Sequence, residues 1–239
     1  MYRGLSVVAV IPVLNEERKI IDVVRRVPRD VVDEILVVDD GSTDNSAAVA
    51  RDNGATVISL GKVKGVGAAL RTGYGYARDK DYDAVITIAG NNKDFPEEAP
   101  LLLDPIVDEA ADFVQGSRWL RPESLGPMPL YRKLATRVHP LLFSLVARRR
   151  VTESTNGFRA FTRRVLRDDR IALDQRWLDN YELEPYLYIK VIRLGYTTRE
   201  VPVRKVYPPK RLGQTKMAPI TGWWSILRPL VLLGLGIKK

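Results

Sequence analysis

The sequence predicts an α/β fold: a single domain, doubly wound in the Rossmann manner, with a mostly parallel sheet and helices on both faces. Three observations carry that prediction. Short apolar runs alternate with stretches of helical periodicity through the first half of the 239 residues. The connections are short, so successive elements must lie side by side. The unusual polar clusters follow the apolar runs, where ligands bind beyond the carboxyl ends of parallel strands.

The elements read off in order. "SVVAVIPVL" is a buried strand, and "NEERKIIDVVRRV" a helix with its apolar face on Ile20, Ile21, Val23, Val24 and Val27. "EILVVD" is a second strand. "STDNSAAVARDNG" follows as a helix capped by Ser42 or Thr43 and stopped at Gly54. "ATVISL" is a third strand, "GVGAALRTGYGYARDK" a glycine-containing helix and "DAVITIA" a fourth strand. Pro96 with Glu97 and Glu98 opens another helix, because proline suits the first helical position and acids the positive end. "ADFVQGS" is a fifth strand. The strand ends then carry Pro12–Glu16, Asp39–Ser42, Gly61–Gly67, Ala89–Asp94 and Gly116–Arg118, all on one edge of the sheet.

The second half changes character. "LRPESLGPMP" is a Pro/Gly loop, and "LYRKLATRVHPLLFSLVARRR" an amphipathic helix that Pro140 can kink. After "STNGFRAF" come a helix around Tyr186 to Leu194, a strand "TTREVPVRKV" and a loop "YPPKRLGQTK". There is no internal repeat. The domain is expected to span 1–216, with 217–239 an amphipathic and apolar tail, packed on the body or lying at a membrane interface. Within it "GWWSILRPLVLLGLGI" falls short of the ~18 uninterrupted apolar residues of a spanning helix, because Arg228 and Pro229 break it. Trp223, Trp224, Lys238 and Lys239 suit an interface.

With 45% apolar residues the chain can build a core. The lack of cysteine excludes disulfides, thiolate metal sites and cysteine nucleophiles, and fits a cytoplasmic location. The single histidine, His139, excludes histidine-cluster metal sites and sits on an apolar helix face, where a structural role is the simpler reading. The +9 net charge favours anionic partners. Nucleic acid is disfavoured, since no aromatic-basic interleaving or recognition helix accompanies the charge.

Four constellations could carry chemistry. "VVDDGSTDNS" puts Asp39 and Asp40 together at a strand tip, where either can accept hydrogen bonds from a ribose or base. A turn with a helix cap explains the residues after them but not the pair, whose repulsion calls for a partner. "GKVKGVGAALRTGYGYA" places glycines, Lys62 and Lys64 at a helix start that can hold a diphosphate, although Gly67, Gly73 and Gly75 also suit close packing. Arg118, Arg132 and Arg159 have the fork that grips phosphate, and any one of them could equally pair with an acid. "DAVITIAGNNKDFPEE" ends a strand in two amides, a lysine and an acid, where nucleotide enzymes of this build often keep two acids for a metal.

Taken in order, "VVAVIPVLNEE", "ILVVDDGSTDNS", "KGVGAALRTGYGYA", "FVQGSRW", "TESTNGFRAF", "YELEPYLYIKVIRLGY", "EVPVRK" and "RLGQTK" resemble glycosyltransferase family 2. The nearest branch is that of dolichyl-phosphate mannose synthases and polyprenyl-phosphate glycosyltransferases. The resemblance covers roughly Val7 to Lys216 and implies the GT-A fold, with inverting transfer from a UDP- or GDP-linked sugar. It implies that Pro12, Leu14, Glu16, Asp39 and Asp40 line the nucleoside pocket, with Gly65 and Gly67 beside them. Arg118, Arg132, Arg211 and Lys216 fall where the family grips the donor diphosphate and acceptor phosphate, and Arg159 belongs to the same Gly-Phe-Arg segment. Glu182 matches an acid at the start of the following helix.

Ala89, Asn91 and Lys93 fall on the family's Asp-x-Asp-x-Gln metal segment, and both metal carboxylates are missing. Three readings follow. Lys93 replaces the cation at the leaving diphosphate; or Asp94 still holds Mg²⁺ or Mn²⁺ with diphosphate oxygens; or the fold survives as a non-catalytic nucleotide-sugar binder. The acceptor is expected to be a polyprenyl phosphate, which needs no general base. A sugar hydroxyl in glycan assembly is the alternative, and would need one from Asp179, Glu182 or Glu184. A lipid acceptor places the enzyme at the cytoplasmic face of a membrane, as a peripheral protein.

Overall fold

The computed structural model describes residues 1–121, 128, 130–207 and 221–238. Its centre is a seven-stranded sheet in the order β3-β2-β1-β4-β6-β5-β7. Strands β1 (Val7–Val13), β2 (Glu34–Asp39), β3 (Thr56–Ser59) and β4 (Ala84–Thr87) run parallel. Helices α1 (Glu17–Arg26), α2 (Ser46–Asp52) and α3 (Val66–Asp79) connect them, as the alternating sequence requires. A 3₁₀ turn at Pro96–Glu98 leads into α4 (Ala99–Asp108), and β5 (Phe113–Ser117) pairs in parallel with β7 (Thr198–Pro202).

Between β4 and β5 lies β6 (Arg159–Thr162), antiparallel to both. The sequence reading gave the "NGFRAF" segment no strand, because four residues are too few to show alternation. The second half also carries the helices α5 (Leu130–Ala147), α6 (Arg163–Leu166), α7 (Leu183–Arg193) and α8 (Thr221–Gly234). Helix α5 runs through Pro140, whose carbonyl accepts the Ser144 hydroxyl at 2.6 Å. One local expectation fails. Helix α2 begins at Ser46, not after Ser42 or Thr43, because the Asp44 carboxylate accepts the Ser46 backbone N–H at 3.0 Å and turns the chain there.

The strand period of two divides the core. Val7, Ala9, Ile11 and Val13 of β1 face α1, α2 and α4, whereas Val8 and Val10 face α3, α5, α7 and α8. Helix α8 buries Leu230 and Leu233 in that second layer. Phe113 stacks on Tyr188 at 4.7 Å between ring centres, and Tyr74 meets Phe161 edge-on at 5.0 Å. With both faces covered, the polar clusters singled out in the sequence are left at the carboxyl edge of the parallel strands.

Candidate functional site

That edge opens into a cavity of about 660 Å³, the size of a small-molecule site. The parallel half supplies Pro12 at the end of β1, Leu14 and Glu16 beyond it, Asp40 beyond β2, Gly65 before α3, and Ala89, Asn91 and Lys93 beyond β4. The second half supplies Arg118, Arg132, Glu184, Lys205, Tyr207 and Trp223. Most of the residues singled out in the sequence therefore converge, although they come from segments far apart in the chain. Arg211 and Lys216 lie outside the described residues.

The adjacent acids are organised by backbone. Asp39 accepts the Ser42 N–H at 2.9 Å and so closes the turn after β2. Asp40 accepts the N–H groups of Lys64 at 2.7 Å and of Gly65 at 2.9 Å. Burial still holds the Asp40 carboxyl above the usual range. The repulsion that called for a ligand is thus offset in part by the protein's own donors. Gly65 and Gly67 have a packing reason. A Cβ on Gly65, whose φ is +112°, would lie 2.3 Å from the Asp179 carbonyl oxygen, and one on Gly67 would lie 2.0 Å from that of Leu178. The Ala68 N–H donates to the Asp179 carbonyl at 3.0 Å. Several N–H groups around the start of α3 are therefore spent on protein. Gly65 borders the cavity and Gly67 lies behind it.

The arginines divide. Arg118 is buried and fully engaged: Nε donates to Glu153 at 2.5 Å, Nη1 to the Tyr207 hydroxyl at 2.7 Å and Nη2 to Thr155 at 3.3 Å. Arg159 is buried away from the cavity, pairing with Glu184 at 3.1 Å and donating to the Asn156 carbonyl at 2.7 Å. Arg132 differs. It sits in the first turn of α5 with its guanidinium 5.5 Å above the Tyr207 ring, and no described carboxylate pairs with it.

Lys93 is the second cavity-lining cation without a described carboxylate partner. Its Nζ lies 6.0 Å from the centre of the Tyr207 ring. Burial first, then the charges of Lys205, Arg132 and Lys19, push its ammonium down to about 8. Asp94 lies beneath. Lys205 donates to its Oδ1, the Ala89 N–H donates to Oδ2 at 3.0 Å, and the carboxylate is 1% exposed. Lys205 also donates to Asn156 Oδ1 at 2.7 Å. Among the described residues no cluster of three or more His, Cys, Asp or Glu could hold a metal.

Two cationic neighbours escaped the sequence reading. Lys205 stands in the quoted "EVPVRK", but nothing in a single strand says that its side chain will find Asp94 across the fold. Lys19 donates to Glu16 at 2.7 Å and lines the cavity; its spacing of three from Glu16 on a helix is the signal that could have found it. The acids of the "WLDNYELEP" segment are each paired: Asp179 with Arg71 at 2.5 Å, Glu182 with Arg228 at 3.4 Å, Glu184 with Arg159. Glu182 is buried outside the cavity lining. His139 is buried too, its Nδ1 2.8 Å from the Ser154 hydroxyl.

The family model for glycosyl transferase family 2 matches residues 8–170. The UDP-N-acetylglucosamine–dolichyl-phosphate N-acetylglucosaminyltransferase of Methanococcus voltae is 27% identical over 83% of this chain and 84% of its own. The undecaprenyl-phosphate mannosyltransferase of Micrococcus luteus is 28% identical over 90% of this chain and 88% of its own. In fold, the chain is similar to glucosyl-3-phosphoglycerate synthase from Mycobacterium tuberculosis, solved with Mn²⁺, UDP and phosphoglyceric acid. That likeness has a TM-score of 0.70 at 24% identity, over 98% of this chain and 78% of that one. The ordered motifs, the sheet with its ligand edge and these relatives converge on one conclusion: the chain belongs to glycosyl transferase family 2 and is a nucleotide-sugar-dependent glycosyltransferase of GT-A fold.

Proposed function

We propose that this enzyme transfers a sugar, with inversion, from a UDP- or GDP-linked donor to a polyprenyl phosphate. One contrast carries the reading. The cavity presents Lys93 and Arg132 with no described carboxylate partner, whereas each acid of the segment that could supply a general base is held by an arginine. A sugar hydroxyl must lose a proton as it attacks; a phosphate dianion need not. In the proposed step an acceptor phosphate oxygen forms a bond to the sugar's anomeric carbon. The bond from that carbon to the donor diphosphate breaks, and its electron pair leaves on the diphosphate oxygen. Two charges on the donor and two on the acceptor become three on the nucleoside diphosphate and one on the phosphodiester. Nothing is protonated. Lys93 faces the leaving diphosphate as a preorganised positive charge, and Arg132 takes the acceptor phosphate.

The surface around the cavity suits a lipid. Helix α5 begins at Arg132's turn and exposes Leu130, Leu134, Val138, Leu141 and Leu145. At 3.6 residues per turn these spacings make one continuous stripe. Lys133 and Arg137 flank it and Arg148–Arg150 close its end, an arrangement that favours an anionic bilayer surface. None of the described helices is long and apolar enough to cross a membrane. On this reading the enzyme meets its acceptor through this face of α5, at the cytoplasmic leaflet.

The test is a transfer assay with radiolabelled UDP- and GDP-sugars, offering undecaprenyl or dolichyl phosphate in vesicles against free oligosaccharide. Label entering the lipid, and a KM for the lipid phosphate that rises in Arg132→Ala while donor affinity holds, supports the reading. Transfer to oligosaccharide alone would establish the hydroxyl reaction instead. Nucleotide binding without transfer to either would mark a non-catalytic binder.

A further inference from the structure

The residues beyond β4 do not fit a divalent cation. Ala89 has no ligand atom. Asn91 offers one buried neutral oxygen without a hydrogen-bond partner. Both oxygens of Asp94 are already used, by the Lys205 ammonium and by the Ala89 N–H. Magnesium or manganese at a phosphate site asks for one or two free carboxylates. Here an incoming ion would have to expel a buried ammonium from the one described carboxylate it pairs with, with Lys93 and Lys19 lining the same cavity.

We propose, on the basis of the donor reading above, that this enzyme binds its nucleoside diphosphate without a divalent cation, because Lys205 occupies Asp94 and Lys93 supplies the positive charge at the diphosphate. Lys205 is the positioning residue. It is 7% exposed and is fixed by Asp94 and by Asn156, whose own amide is oriented by a 2.9 Å bond from Nδ2 to the Gly116 carbonyl. The Val206 N–H donates to the Lys93 carbonyl at 3.0 Å, tying the backbone that carries Lys205 to the backbone that carries Lys93. Asp94 also holds the Ala89 N–H, so one carboxylate fixes both the start and the end of the segment that presents Lys93. The segment is thus held by an internal ion pair at the place where a bound metal would otherwise organise it. Among the described residues Lys93 has no carboxylate ion-pair partner, and the cations around it favour an anionic ligand.

The experiment is calorimetric titration of the full chain with UDP and with GDP, in EDTA and then in Mn²⁺. The nucleotide that binds should do so in EDTA, with an affinity that Mn²⁺ does not improve. Lys93→Ala should weaken it by about 10- to 100-fold, the loss of one charged hydrogen bond, and Lys93→Arg should recover most of the loss. Asn91→Asp combined with Lys205→Met creates two free carboxylates, and this variant alone should bind nucleotide more tightly when Mn²⁺ is added. Binding by the unaltered chain that EDTA abolishes, or that Mn²⁺ tightens tenfold, would overturn the proposal while leaving the glycosyltransferase reading intact. An unchanged affinity in Lys93→Ala would overturn it as well. If neither nucleotide binds under either condition, the donor reading fails, and this proposal with it.

Discussion

The Lys205–Asp94 pair makes a prediction about stability that is independent of any ligand. Its side chains are 8% and 1% exposed, and Asn156 supplies the ammonium with a second acceptor. Removing one partner leaves the other charge buried and alone, at a cost of about 3–5 kcal/mol. Asp94→Ala and Lys205→Met should each lower the midpoint of thermal unfolding by roughly 6–20 °C, at about 2–4 °C per kcal/mol for a chain of this size. The double variant removes both charges. It should be no less stable than the worse single variant, short only of the bond from the Ala89 N–H, worth about 1 kcal/mol. Scanning calorimetry on the four proteins at neutral pH and fixed ionic strength gives the coupling directly. Additive losses, with the double variant falling by the sum of the singles, would refute the claim that an ion pair occupies this position. Both arguments built on it, for the geometry of the loop and for the metal, would then lose their footing.

Other outcomes follow from the same geometry. Gly67→Ala would put its Cβ 2.0 Å from the Leu178 carbonyl oxygen, so α3 and the 178–180 segment must separate. A loss of about 1–3 kcal/mol is expected, with weakened nucleotide affinity, and an unchanged melting curve would contradict it. The Lys93 ammonium, lowered to about 8, is neutral in part above that pH, and a bound diphosphate would restore its charge. Affinity should therefore fall as pH rises through about 8, by up to about tenfold per unit, whereas Lys93→Arg should give a flat profile. The stability sign is the opposite: the folded chain binds fewer protons than the unfolded chain between about 8 and 10.5, so this group's contribution to stability rises across that window. Leu141→Glu and Leu145→Glu should reduce flotation with anionic vesicles without altering nucleotide binding in solution, and equal flotation would remove the membrane role of α5.

Much of the fold was legible because β1, β2 and β4 of the parallel half are buried on both faces. "SVVAVIPVL" and "EILVVD" have no polar side to mislead, and the helices between them carry a clear period. The cluster at the carboxyl edge followed from that topology alone. Strand β6 was not legible, because what makes "RAFT" a strand is the gap between β4 and β5, which no local pattern records. The site divides the same way. Asp40, Gly65, Lys93 and Arg132 could be named from their segments. The partners that decide what they do could not: Asp94 looks like a free acid until Lys205, far along the chain, is seen beside it. Arg118 looks like a phosphate fork until Glu153 and Tyr207 are seen to hold it.

Charge counting explains why the departure at the metal segment is coherent with catalysis. Two carboxylates and a divalent cation, the set implied by the family pattern, sum to zero. Ala89 and Asn91 also sum to zero, so the loss of all three charges leaves the cavity's total unchanged and removes only its positive focus. Lys93 restores a focus at the same strand end, and the Lys205–Asp94 pair adds no net charge while fixing where Lys93 stands. A phosphate acceptor brings two more negative charges than a hydroxyl would. Of the cations that line the cavity, two, Lys93 and Arg132, have no described carboxylate partner. On the proposed reading Lys93 faces the donor diphosphate and Arg132 the acceptor phosphate, in a reaction that moves negative charge from acceptor to leaving group and never has to move a proton. A hydroxyl acceptor would leave one of these cations without a ligand charge and would still require a base, yet in the 179–184 segment Asp179 and Glu184 are paired with arginines and Glu182, paired with Arg228 through one oxygen, lies outside the cavity lining.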